Sequence, residues 1–326
     1  MAVPKLGEFE RIARFFAPLA APEGLKLLDD VAIIPGPPGE QYVLTTDAIV
    51  EGVHFLADDP ADRVAQKLLR MNLSDLAAKG ATPVGYLLTT ALPRERDETW
   101  VGRFAAGLAR DQKEFGIGLL GGDSVATTGP VTLSVTAVGR VRAGEAVLRR
   151  GAKPGDTVFV SGTLGDGALG LKALRGELSK LGTGDRDFLA DRYRLPRPRL
   201  DLGRRLVGIA HAMMDISDGL VADLGHICET SGVGAVIEEP RLPLSPAARA
   251  AIAMDVSLHA APLAGGDDYE LLFTASPDAA DRIAALARET DLPVGAIGRI
   301  EPGPGVRVID EKGAPIAIAN RGYRHF

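Results

Sequence analysis

Two hydrophobic periods alternate along this chain, one of about 3.6 residues and one of two, and their order predicts a succession of helices and strands. Residues 8–19 predict a short amphipathic helix with Phe9, Ile12, Phe15 and Phe16 on one face. LLDDVAII (27–34) is apolar on both flanks of Asp29 and Asp30. A strand then opens at Tyr42, Val43 and Leu44 and reaches its polar end at Thr45, Thr46 and Asp47, before a loop through Glu51 and Gly52 to His54. In residues 61–79 the apolar stripe Val64, Leu68, Met71 steps by four and three, and the next step of four lands on Asp75. That carboxylate therefore belongs to the face that packs. VGYLLTT (84–90) predicts a strand and 97–115 a helix with Val101, Phe104, Leu108 and Phe115 in the core. The strand IGLLGGDS follows, ending in Gly121, Gly122 and Asp123. VTLSVTAV (131–138) alternates almost perfectly, which gives it one face that is wet or set against a partner.

Between Val141 and Thr157 the pattern lapses into basic, turn-rich sequence, and a domain boundary is expected here, dividing the chain into 1–148 and 149–326. The second half repeats the theme. The strand TVFVSG leads into Gly165-Asp-Gly167-Ala-Leu-Gly170. A short strand ends in Asp215, and Ser217 and Asp218 open a helix whose core face is Leu220, Val221, Leu224, Ile227 and Cys228. AGGDDYELLFT (264–274) again sets two glycines before acids, here ahead of a strand. A helix over about 277–289, a strand at 294–300 and the tail RGYRHF complete the chain. Helices and strands interleaved in this way predict an α/β (α+β) protein.

Composition narrows the class. The 326 residues suffice for two domains, and a net charge of −6 lacks the basic footprint of a nucleic-acid binder. With Cys228 as the only cysteine there is no intramolecular disulfide or thiolate cluster. The amino-terminal residues lack the apolar core of a signal peptide, and no apolar run approaches a membrane span, so a cytoplasmic protein without a membrane partner is expected.

GDGALG matches GxGxxG after a strand and before a helical run. A dinucleotide site would require a second strand ending in an acid about 20 residues later. KLGTGDRDFLADRYRLPRPRL offers none, so a glycine-rich strand-to-helix turn is the reading that stands. No GxxxxGK[ST] is present either, so nucleotide phosphates would have to be held in another way.

Asp30, Asp47, Asp123, Asp215 and Asp218 lie at or just beyond the ends of β-patterns, and Asp75 faces inward from a helix. Brought together, they would repel until some were protonated, unless cations met them. Carboxylates, threonine hydroxyls and water select hard ions such as Mg²⁺, and Mg²⁺ usually keeps substrate phosphates in its shell. Taken singly, Asp47 reads equally as a solvated loop acid, Asp75 as a satisfied buried acid, Ser217 as a plain helix cap and His54 as a surface histidine.

At these residues the chain resembles the thiamine-monophosphate kinases, of the superfamily that includes aminoimidazole ribonucleotide synthetase, selenophosphate synthetase and a hydrogenase-maturation protein. The motifs are GEFERIARFF, LLDDVAII, LTTDAIVEGVHF, NLSDLAAKGATP, LLGGDS, RRGAKPGD, SGTLGDGALGL, MDISDGL and GGDDYELLF, in order over nearly the whole chain. The resemblance implies two α/β domains with mixed sheets, the first pairing with its copy in a homodimer, and ATP-dependent phosphorylation of thiamine monophosphate. It implies Mg²⁺ ligands at Asp30, Thr45, Thr46, Asp47, Asp75, Asp123, Asp215 and Asp218, with Asp47, Asp75 and Asp123 central to catalysis. ATP would be held at Gly122, Asp123, Arg149 and Ser217, and thiamine monophosphate at His54, Asp267 and Tyr323. Two positions depart from the family: Asp267 stands where Glu is usual, and Ala105 where many members have tyrosine. Selenophosphate synthetase is disfavoured because no reactive Cys or Lys sits in an amino-terminal glycine-rich loop, and the maturation protein because the chain lacks a carboxy-terminal cysteine tail. An aminoimidazole ribonucleotide synthetase-like enzyme and a non-catalytic Mg²⁺–nucleotide sensor remain as alternatives.

Overall fold

A computed structural model describes Glu10, residues 12–318, Gly322 and Tyr323. Strands β1 (Ala32–Pro35), β2 (Glu40–Val50), β3 (Thr82–Pro93), β4 (Gly118–Thr127) and β5 (Thr132–Arg142) form one sheet in the order β1-β2-β5-β3-β4. All its pairs are antiparallel except β3 with β4. Helices α1 (Ala61–Ala78) and α2 (Glu98–Phe115) belong to this half. Asp97 caps α2 by accepting from the Trp100 N–H at 2.7 Å, and Gly116 ends it in the left-handed conformation.

The second sheet is built from β6 (Thr157–Ser161), β7 (Ala212–Asp215), β8 (Gly234–Glu238), β9 (Leu271–Ala275), β10 (Val294–Glu301) and β11 (Gly305–Ile309), in the order β11-β8-β10-β6-β9-β7. Its helices are α3 (Asp166–Leu174), α4 (Thr183–Arg194), α5 (Leu200–Leu206), α6 (Leu220–Ser231), α7 (Pro246–Met254), α8 (Ala261–Ala264) and α9 (Ala280–Glu289). The chain passes from one sheet to the other between Arg142 and Thr157.

Several sequence expectations need correction. The strand expected to end at Asp47 continues to Val50, because β5 pairs with it as far as Thr132. Asp123 likewise lies inside β4, paired with Thr89, and not at a strand end. Residues 12–19 form a π-type turn and a 3₁₀ turn with no buried side chain, and Pro18 and Pro22 cannot donate to a continuing α-helix. Phe9 of that expected helix is outside the described residues, as are Arg321, Arg324, His325 and Phe326 of the tail.

The largest departure concerns α1. Its stripe predicts one buried face, yet every residue from Val64 to Ala78 is buried. The first sheet and α2 cover one side, while α5, β7 and β9 of the second half cover the other. A helix enclosed in this way needs partners for its polar groups. Arg70 donates to Asp111 at 2.7 and 2.9 Å, and Gln66 to the same carboxylate at 2.6 Å. The two halves meet closely at Gly203 of α5, where an added Cβ would lie 2.0 Å from the carbonyl oxygen of Ala77. Gly203→Ala is accordingly expected to force α5 off α1 and to cost about 1–3 kcal/mol, read as a lowered midpoint in thermal or urea unfolding.

Candidate active site

Five of the six aspartates singled out by sequence converge where the carboxyl end of α1 meets β2 and β7. Asp47 projects from mid-β2, Asp75 from the last turn of α1, and Asp215 from the last position of β7. Asp30 enters just ahead of β1, and Asp218 stands in the turn before α6. Carboxylate oxygens of Asp30, Asp75 and Asp215 lie within 4.8 Å of one another. The Thr45 hydroxyl donates to Asp75 at 2.5 Å, and the Asp47 N–H donates to the Asn72 side chain at 3.2 Å.

Crowding of like charge is visible in the acidities. Burial, then the Asp215 charge, push the Asp47 carboxyl up to about 6 from its ordinary 3.8, although its contact with Asp75 pulls the other way. Asp75 is driven well above the usual range by burial and by Asp47 and Asp215. Burial also raises Asp215. Two cations lie at the edge of the cluster. Lys79, which follows α1 and is fully buried, holds its ammonium 2.8 Å from Asp29 and 3.6 Å from Asp30. Arg149 bonds Asp30 through both Nε and an Nη, while its backbone N–H donates to Asp29 at 2.9 Å. An all-oxygen set of this kind fits a hard divalent cation, which would relieve the repulsion that these two side chains only partly offset.

Two of the expected metal ligands are elsewhere. The Thr46 hydroxyl points to the other face of the sheet, donating to the Val135 carbonyl at 3.1 Å and lying 3.0 Å from the Thr136 hydroxyl. Side chains alternate along a strand, so Thr45 and Thr46 cannot both enter the cluster. Asp47, Val135, Leu88 and Gly122 are register partners across β2, β5, β3 and β4. Gly122 and the neighbouring Asp123 are thus three strands, roughly 14 Å, from Asp47. Both are exposed, and alternation sets Asp123 on the outer face with Thr89 and Ser134.

The other expected ligand residues gather near the cluster. Ser217 and Asp218 are shaped by Asp223, whose Oδ2 accepts from the N–H groups of Ser217, Asp218 and Gly219 at 3.1, 3.2 and 3.0 Å. The N–H of Tyr323 donates to the Asp218 carbonyl at 3.0 Å, bringing the tail to the same place. His54 accepts from the Val50 N–H at Nδ1, which leaves its proton on Nε2. Asp267 adopts a left-handed backbone, φ 67, where aspartate is better tolerated than longer side chains. Its carboxylate lies 3.2 Å from the Lys67 ammonium. The sequence alone does not single out Lys67, Lys79, Asn72, Tyr193 and Asp223; Lys67 and Lys79 resemble ordinary helix-surface residues until the second half covers α1.

The GDGALG turn binds part of its own chain. Asp268 accepts from the N–H groups of Gly165 and Gly167 at 2.6 and 3.0 Å, filling the anion site that a dinucleotide fold would offer to pyrophosphate. A Cβ on Gly167 would meet the Asp267 carbonyl at 2.3 Å, so this glycine serves the close approach of the 265–270 loop. Glu270, also buried, takes Arg192, Arg199 and the Ser161 hydroxyl and anchors the loop's other end. Cys228 is buried in the core as expected, and burial pushes its thiol up to about 12. No helix among the described residues is long and apolar enough to cross a membrane.

Comparison with known proteins identifies the family to which this fold belongs. Residues 28–141 match the AIR synthase related protein, N-terminal domain, and residues 153–311 match the corresponding C-terminal domain. The two sheets thus belong to the N-terminal and C-terminal domains of an AIR synthase related protein. Thiamine-monophosphate kinase of Caulobacter vibrioides is 44% identical over 324 residues, spanning 98% of this chain and 90% of the relative. Thiamine-monophosphate kinase from Stenotrophomonas maltophilia K279a superposes with a TM-score of 0.77 at 43% identity, covering 86% and 89% of the two chains. AaThiL complexed with AMPPCP and TMP superposes with a TM-score of 0.86 at 33% identity, over 100% and 99%. The chain belongs to the thiamine-monophosphate kinase family.

The raised carboxyls carry a stability consequence. A folded-state pKa above the unfolded value of about 4 means that the native chain binds more protons, so the cluster's contribution to stability falls as pH rises through about 4 to 6 and beyond. In EDTA at pH 8, Asp47→Asn is expected to melt above the wild type by about 2 °C or more. Mg²⁺ is expected to raise the wild-type midpoint more at pH 8 than at pH 5. Differential scanning calorimetry measures both.

Proposed function

We propose that this chain transfers the γ-phosphate of ATP to thiamine monophosphate, giving thiamine diphosphate and ADP, and that it does so in the cytoplasm as a homodimer. The observation that carries the reading is the convergence of Asp30, Asp75 and Asp215 within 4.8 Å, flanked by Asp47 and Asp218. Near full-length likeness to thiamine-monophosphate kinases, one of them solved with AMPPCP and TMP, names the reactants such a cluster would serve.

On this reading Asp30, Thr45, Asp47, Asp75, Asp215 and Asp218 hold Mg²⁺. Bound there, Mg²⁺ supplies charge neutralisation between two anionic reactants. Arg149 and Ser217 take ATP phosphates, and His54, Asp267 and Tyr323 take thiamine monophosphate. An oxygen of the acceptor phosphate forms the new bond to the γ-phosphorus as the bridging bond to the β-phosphate breaks, in line and without a phospho-enzyme. A phosphate monoester is already nucleophilic near neutral pH, so the side chains position and screen, and none need take a proton.

Asp123 and Gly122 enter through the dimer. In one chain Asp123 lies on the outer face of the exposed edge strand β4 with Gly122 next to it on the backbone, beside the exposed Leu87, Leu119, Leu120 and Val125. A second copy seated on this surface would cover the apolar residues and the open strand edge, and would receive Asp123 and Gly122 into its own cleft. Thr46 and the alternating face of β5 lie on the same side.

The test is incubation with Mg-ATP and thiamine monophosphate, with thiamine diphosphate as the expected product. Asp47→Asn and Asp75→Asn are each expected to lower turnover by about two orders of magnitude or more, as loss of charge stabilisation does. Wild-type turnover in both at saturating Mg²⁺ would remove the acid cluster from the mechanism. An equal mixture of refolded Asp75→Asn and Asp123→Asn chains is expected to recover about a quarter of wild-type activity, because half the dimers then hold one intact site. Persistence of ATP would favour the nucleotide-sensor reading instead.

A further inference from the structure

We propose that Lys67 is the positioning residue of the substrate end of the cleft, fixing the His54 and Asp267 loops against each other so that one oxygen of Asp267 is presented to the amino-substituted ring of the substrate. The inference rests on the reading above and goes beyond it, since no role attaches to Lys67 or Tyr193 there.

The observation is a buried ammonium with three partners drawn from both halves of the chain. Lys67 leaves the second turn of α1 and is 2% exposed. Its Nζ donates to the His54 carbonyl at 2.9 Å, lies 3.2 Å from Oδ1 of Asp267, and sits 3.5 Å from the centroid of the Tyr193 ring on α4. The Tyr193 hydroxyl donates to the same His54 carbonyl at 2.9 Å. The Tyr269 hydroxyl donates to the same Oδ1 at 3.2 Å. Both acceptors are therefore held twice, once by Lys67 and once by a tyrosine.

Taking an ammonium out of water is costly unless its donors are used, and packing alone would be served better by methionine or leucine at this position. The site keeps a cation where an apolar side chain would suffice. What the cation adds is a fixed separation between two loops, 51–56 of the first half and 265–270 of the second, which it bonds directly. With Oδ1 of Asp267 occupied by Lys67 and Tyr269, Oδ2 has no hydrogen-bond partner among the described residues. A lone carboxylate oxygen held at a fixed angle is suited to an N–H donor, and the 4-amino group of an aminopyrimidine is such a donor.

Along α1, Lys67 and Asp75 are eight residues, about 12 Å, apart. One helix thus carries the group that orders the ring end and a group of the acid cluster. Lys67 is assigned no contact with the reacting phosphates, so its removal should be felt in substrate affinity and not in the chemical step.

Lys67→Met and Tyr193→Phe test this by kinetics and by hydrogen exchange of the ligand-free protein. For Lys67→Met the KM for thiamine monophosphate is expected to rise at least tenfold, with kcat and the KM for ATP within about twofold of wild type. Tyr193→Phe, which removes a single hydroxyl, is expected to give a smaller rise of the same kind. Amide exchange at 51–56 and 265–270 is expected to quicken together in Lys67→Met, while α1 and the two sheets stay protected. An unchanged KM for thiamine monophosphate, equal shifts in both KM values and kcat, or unaltered exchange in these two segments would overturn the assignment. The exchange measurement needs no substrate. Failure of the wild type to phosphorylate thiamine monophosphate would thus count against the proposed activity and leave the positioning role to be judged by exchange alone.

Discussion

A helix buried on every side must find partners inside the protein for each polar group it carries, and α1 sets that constraint for the whole molecule. From Val64 onward it is enclosed by the first sheet and α2 on one side and by the second half on the other. Gln66 and Arg70 share Asp111, Lys67 reaches His54 and Asp267, Asn72 takes the Asp47 N–H, Asp75 takes the Thr45 hydroxyl, and the adjoining Lys79 meets Asp29. Together these bonds tie α2, the loop at His54, the loop at Asp267, β2 and the segment at Asp29 to one rod. Several of the partners that α1 takes, Thr45, Asp47, His54 and Asp267, are also residues of the site, so packing this helix and assembling the cleft go together.

The acid cluster illustrates how such a site tolerates itself before any ligand arrives. Asp47, Asp75 and Asp215 are buried together and their carboxyls are raised, by burial first and, for Asp47 and Asp75, by the neighbouring carboxylates as well. Lys79 and Arg149 stand at one edge and engage Asp29 and Asp30. They neutralise part of the charge from behind, and the side facing the cleft is left for mobile cations. Buried carboxylates with incomplete compensation are a poor way to stabilise a fold and a good way to hold a hard ion.

Much of this was legible in the order of residues, and the exceptions have physical causes. The helix at 61–78 and the inward aspect of Asp75 follow from spacing alone, and Asp215 and Asp218 fall at the strand-to-helix turn where they were expected. Strand ends were harder to place, since backbone pairing by β5 carries β2 past the polar residues that looked like its limit. Thr46 and Asp123 carry suitable chemistry but face outward, which only register can reveal. Helices α4 and α5 have charged sequences with little periodicity, and Arg192 of α4 and Arg199 just ahead of α5 turn inward to the buried Glu270 where a solvated face would be read. Lys67 and Asp223 were overlooked for a common reason. A charged residue on a helix is ordinarily solvated, and nothing local announces that Lys67 will be covered by the second half or that Asp223 will turn back on the backbone of its own turn.

The Asp268 latch has one more implication. Strand, glycine turn and helix together make a competent phosphate cradle, yet here the seat is taken by a side chain from about a hundred positions downstream, in a carboxyl that burial raises to about 8. A free oxyanion from solvent would need to evict a tethered competitor whose local concentration no buffer can match. The motif has thus been turned from a receptor into a fastener, and inorganic phosphate, sulfate or a stray dinucleotide should pass it by.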